Sequence, residues 1–176
     1  MGLLLSPSIR GFLVVMSVFV TLGMISSYKA TQAQNVSRDL PDPVLTPGAV
    51  VDADLETICR PGYAKAARQN IQFLRNRIFA SYHLIDVDRR RYEVDHDIPI
   101  SLGGDPTDIR NLWPESRDGI WNAEVKDHLE IVLHEKVCAG EVPLAEAQQA
   151  ISRNWIDAYL KYVGNTPVRF IIDEPE

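Results

Sequence analysis

Cysteine is nearly absent from this chain of 176 residues: only Cys59 and Cys138 occur. Neither has a second cysteine two or four residues away, which excludes the paired-thiolate frameworks of structural zinc sites. There is no internal repeat and no low-complexity tract, and the apolar fraction is ordinary for a globular protein. Basic excess is missing as well. The chain holds 24 Asp and Glu against 18 Lys and Arg, a net charge of −6, which counts against a high-affinity binder of nucleic acid. No apolar run reaches the about 20 residues that span a bilayer. The length suits one domain with a real core and is short for two.

What is present begins with an address. Arg10 precedes an apolar run from Gly11 to Ile25, followed by polar residues and Tyr28 to Gln34. A positive residue, a short apolar core and small residues before a cut describe a secretory signal over residues 1–33, cleaved after Ala33. An uncleaved N-terminal membrane anchor is the alternative. Cleavage implies a secreted or periplasmic protein with no stable membrane association. In an exported protein an even pair of cysteines reads as a disulfide. Cys59–Cys138 would close a loop of roughly 80 residues, for which chain entropy sets a ceiling of about 4–5 kcal/mol.

Residues 34–50 carry Pro41, Pro43, Pro47 and Gly48 and read as an extended leader or linker. The domain itself is expected over 51–165, with a tail at 166–176. Ile71, Leu74, Ile78 and Tyr82 predict one helix over 63–82. Arg91 to Asp95 alternates like a strand. Ile98 to Gly104, broken by Pro99 and the glycine pair, reads as an ordered loop. Asp108 to Trp113 reads as a second strand stopped by Pro114. Trp121, Val125, Leu129 and Val132 mark the buried stripe of a helix over 120–137, with Gly140 as its stop. A last helix starts at Pro143, with Leu144, Ala147, Ile151, Trp155 and Tyr159 as its apolar face. In the tail, Phe170 to Ile172 is an apolar patch.

The polar residues at the junctions carry the chemistry: Asp95-His96 at the end of the first strand, Asn111 at the second, Asn122 and Lys126 on the helix. Phosphodiester hydrolysis needs a base for water, a cation for the developing charge and a grip on phosphate. His96 titrates near neutrality and suits the base. Asp95 offers an anionic oxygen ligand and Asn122 an amide oxygen, a set suited to Mg²⁺. Arg60, Lys65, Arg68, Arg75, Arg77 and Arg89-Arg90-Arg91 crowd the segment ahead of Asp95. They form either a phosphate-holding face or a solvated one.

Asp95-His96, Ile98-Pro99, Leu102-Gly103-Gly104, Asn111-Leu112, Asn122 and Lys126 resemble the HNH endonuclease motif. The flanks Tyr92 to His96, Asn111 to Glu115, Thr57 to Tyr63, and Leu144 to Ala150 resemble a secreted bacterial subgroup of that family. The resemblance implies an α+β fold with a ββα-metal core, a two-stranded hairpin and a helix, flanked by further helices. It implies His96 as general base, Asn111 as the residue fixing the loop and the histidine, and Asp95 and Asn122 as ligands of a divalent ion. The expected activity is metal-dependent cleavage of nucleic acid, DNA before RNA, with little sequence specificity. Arg89, Arg90, Arg91 and Lys126 would contact the phosphates. Three departures stand out. The zinc-binding CxxC pairs of many HNH proteins are absent, Asn122 to Lys126 is one residue longer than the commoner Asn-x-x-Lys, and Asn122 stands where many relatives have histidine. Trp113 is expected in the core, His128 on an exposed helix face, and His134 packed near the disulfide. The rival functions are a non-catalytic secreted protein on the same scaffold and a metal-dependent hydrolase of another phosphate ester.

Overall fold

A computed structural model describes residues 39–167. The expected signal over 1–33 and the patch Phe170 to Ile172 lie outside the described residues. The architecture is α+β: one antiparallel hairpin, several helices and one disulfide.

Three short helices lead in. α1 spans Leu55–Ile58, α2 Tyr63–Ala67 and α3 Arg75–Ser81, with a 3₁₀ turn at Gln72–Leu74 before α3. The single helix expected over 63–82 is thus broken, and the cause is local. Arg68 is extended (φ −62°, ψ 130°), and the Asn70 side chain accepts the Gln72 N–H at 3.0 Å. A short polar side chain there offers the backbone an alternative to helical bonding.

The hairpin follows. β1 is Tyr92–His96 and β2 is Leu112–Ser116, paired from Tyr92↔Ser116 to His96↔Leu112. β2 starts later than the sequence suggests. Ile109–Asn111 is a 3₁₀ turn, opened by the Asp108 side chain accepting the Arg110 N–H at 2.8 Å. Pro114 does not stop the strand; it lies inside it, opposite Val94. The bonds Asp97 N–H to Asn111 O and Arg117 N–H to Arg91 O, both 2.9 Å, set the ladder phase. Val94 and Pro114 then form a non-hydrogen-bonded pair, so the ladder never calls on the N–H that proline lacks. Strand alternation puts Glu93, Asp95, Trp113 and Glu115 on one face.

The long helices close the core. α4 spans Ala123–Cys138 and α5 Leu144–Tyr162. Val125, Leu129, Leu133 and Val137 of α4 are buried with Ala147, Ile151, Trp155 and Tyr159 of α5. Leu133 and Val137, rather than Val132, continue the α4 stripe. α5 bends at Asn154 (φ −167°, ψ 96°), whose side chain accepts the N–H groups of Ile156 and Asp157 at 3.1 Å. That is a second cap inside one apolar period.

Residues 39–50, expected as a leader ahead of the domain, are packed into it. The Trp155 indole donates to Asp39 O at 2.7 Å, Thr46 is buried, and Val50 bridges to Gly104. Cys59 at the end of α1 is bonded to Cys138 at the end of α4, with Cα atoms 5.6 Å apart.

Candidate active site

Asp95 and His96 open onto one polar cleft of about 260 Å³ between the hairpin and α4. Glu93, Asp127, Glu130 and Arg68 line it with them. His96 is 5% exposed, and its Nε2 lies 3.2 Å from Pro106 O. A carbonyl can only accept, so Nε2 carries the proton and Nδ1 keeps the lone pair. Burial lowers the His96 pKa below its ordinary 6.5, partly countered by Asp95. The neutral imidazole, which is the base form, therefore prevails at neutral pH.

Asp95 is organised by Lys126. That lysine is fully buried, and its ammonium donates to Asp95 Oδ2 at 2.6 Å, to His96 O at 2.8 Å and to Glu130 Oε1. All three ammonium donors are used. Burial pushes the Asp95 carboxyl up, but the Lys126 ammonium, a hydrogen bond with Glu115 and the neighbouring His96 together hold the group below the ordinary range. Burial raises Glu130 despite the same ammonium, and it raises Glu93 and Asp127 with help from Asp95. Lys126, expected on the surface as a phosphate contact, is thus an internal cation. A lysine inside is rare unless paired, and this one is paired twice.

Asn122 is also placed differently from the expectation. It is the N-cap of α4: its Oδ1 accepts the Val125 N–H at 3.2 Å, and its Nδ2 donates to Gly119 O at 3.3 Å. It is 2% exposed and does not line the cleft that Asp95 lines. Its carbonyl oxygen serves in capping, while Asp95 faces the cleft.

Asn111 is a clamp on the loop after His96. Its Oδ1 accepts the Ile98 N–H at 2.9 Å, and its Nδ2 donates to Ile98 O at 2.9 Å and Asp105 O at 3.0 Å. Gly104 makes room for it. A Cβ at Gly104 would lie 1.8 Å from Ile98 O and 2.8 Å from the Asn111 amide.

The arginine run forms a 3₁₀ turn ahead of β1, at the opposite end of the strand from His96. Arg89 lies over the Phe79 ring and donates to Asn76; Arg90 pairs with Asp88 at 3.0 Å and Arg91 with Asp118 at 2.5 Å. Arg68, one of the crowd noted in the sequence, is the arginine that reaches the cleft. His128 stacks edge-on against Tyr159, and Trp113 is buried. His134 lies 3.5 Å from Cys138 Sγ, but both sulfurs near it are spent in the disulfide.

Glu93 and Glu115 are among the site residues that the sequence pattern does not single out. They face each other across the hairpin beside Asp95. Glu115 is 1% exposed. Their signal was the alternation itself, Glu93 two residues before Asp95, once the register of β2 is known. No family model, curated protein or solved structure matches the chain.

Proposed function

We propose that the protein is an exported, metal-dependent endonuclease of the HNH type, cutting phosphodiester bonds of nucleic acid, DNA in preference to RNA, with little sequence specificity. The observation that carries this reading is His96: a neutral imidazole, its proton fixed on Nε2 by Pro106 O, in one cleft with Asp95. The order strand, loop, strand, helix around it supports a ββα-type core.

In this reading His96 Nδ1 takes a proton from the attacking water. Lys126 holds Asp95 and the carbonyl of His96 in place, and Asn111 fixes the loop that follows. Arg68 meets the phosphate in the cleft, with the Arg89 to Arg91 turn as a further contact along the backbone. A hard divalent ion, Mg²⁺ by preference, would neutralise the charge that develops on the phosphate.

A second reading has an observation of its own. The Lys126 network knits hairpin to helix, which a non-catalytic secreted protein would need for stability alone. One experiment separates the two. The exported, oxidised protein is incubated with plasmid and with RNA, in Mg²⁺ or in EDTA, beside His96→Ala. The nuclease reading expects metal-dependent cutting that falls about 100-fold or more in the variant. Equal traces of cutting from both proteins would leave the binding-protein reading standing.

A further inference from the structure

We infer that Glu93, Asp95 and Glu115 form a divalent-cation site on the α4-facing side of the hairpin, with Glu115 as its central ligand. One carboxylate oxygen from each lies within 4.8 Å of the others. Two oxygens on opposite sides of an ion with bonds of about 2.4 Å stand about 4.8 Å apart, so a single ion of Ca²⁺ size can reach all three. An all-oxygen, all-anionic donor set selects hard cations of that class over zinc.

An acidic cluster alone would not carry the inference; Glu115 does. It is buried to 1% exposure, and its oxygens have no hydrogen-bond partner beyond the neighbouring carboxyl of Asp95. A buried carboxyl without partners is costly, and native folds satisfy such groups or use them. Its company within the cluster is two more carboxyl groups, and carboxylates satisfy one another only when a proton or a cation lies between them.

The neighbouring charges are already assigned. Arg117 pairs with Glu93, and Lys126 pairs with Asp95 Oδ2 and Glu130. Glu115 has neither. A divalent ion would satisfy it and draw on Asp95 Oδ1, the oxygen that Lys126 leaves open. Such an ion would also supply the cation that the nuclease reading calls for at Asp95, and to that extent the inference rests on that reading. Cation binding itself is measurable with no substrate present.

The test uses the exported, oxidised protein, titrated with Mn²⁺ by calorimetry and with Tb³⁺ by luminescence. Trp113 stands opposite Asp95 in the ladder and serves as the sensitiser. One saturable site is expected, weakened at least tenfold in Glu115→Gln and in Glu93→Gln, and unchanged in Glu124→Gln on the exposed side of α4. If Glu115→Gln fails to fold, Glu93→Gln decides alone, since Glu93 lies partly open to solvent. Absence of saturable binding, or binding untouched by both substitutions, overturns the site. Saturable binding without cleavage of DNA or RNA leaves the site standing and removes the nuclease reading.

Discussion

At position 97 the chain buries a carboxyl that nothing satisfies. Asp97 is fully buried, and neither of its oxygens has a hydrogen-bond partner. Burial pushes its pKa from 3.8 to about 7, with Asp95 adding to the rise and Lys126 opposing it. In the unfolded chain the group ionises near 3.8, so between about pH 4 and 7 the unfolded state sheds a proton that the folded state keeps. Stability then falls as pH rises through that window, by about 1.4 kcal/mol per pH unit, and the loss is complete above the folded pKa. Asp97→Asn is expected to match the wild type near pH 4 and to exceed it increasingly up to neutrality. Urea midpoints at pH 4.5, 6 and 7.5 in EDTA check this; parallel midpoints would refute it. At this scale the sequence was legible where local context decides. Asp95 and His96 stand out by their neighbours in the chain. Lys126 was not legible as an interior residue, because apolar patterning counts any lysine as surface. Its clue was Glu130 four residues on, and the decisive partner, Asp95, comes from another element.

At the scale of elements, the loop between the strands depends on one missing side chain. Gly104 lets the Asn111 amide and Ile98 O come together, where any Cβ would collide with backbone. Gly104→Ala is therefore expected to cost about 3 kcal/mol or more, because the obstacle is main chain and cannot rotate away. A thermal melt measures it; a melting temperature within a degree of wild type would show that the loop can yield. The glycine pair was visible in the sequence as a loop marker, and the family resemblance pointed to Asn111 as the residue fixing that loop; that the two touch was not visible. β1, α4 and α5 were readable because each carries a clean period. Pro114 suggests an earlier end for β2 than the structure has, and only the phase of the ladder shows the proline to be harmless there. The break in the helix expected over 63–82 turns on Asn70, whose side chain competes with the helix it was counted in. Asn122, expected as a ligand, caps α4, a role that asparagine favours at a helix start.

At the scale of the molecule, the parts are tied at their ends. The disulfide joins residues separated by 79 positions and holds α1 to α4. In the chain-entropy account a loop of that length contributes at most about 4–5 kcal/mol. The segment from Asp39 to Val50 is tied to the domain through Trp155, Tyr82 and Gly104. Between these ties lies the seam of hairpin and α4, closed by one ammonium. An amine reagent sees that seam as a clock. Lys65 and Lys161 stand in solvent and should be acylated at once, whereas Lys126 has no exposed surface and can react only in molecules whose hairpin has lifted from the helix. Mass spectrometry of a timed labelling series should show Lys126 lagging the other two by orders of magnitude. Simultaneous modification would mean that the seam opens freely. Each modified Lys126 thus records one opening of the protein, read out without any assay of what the protein does.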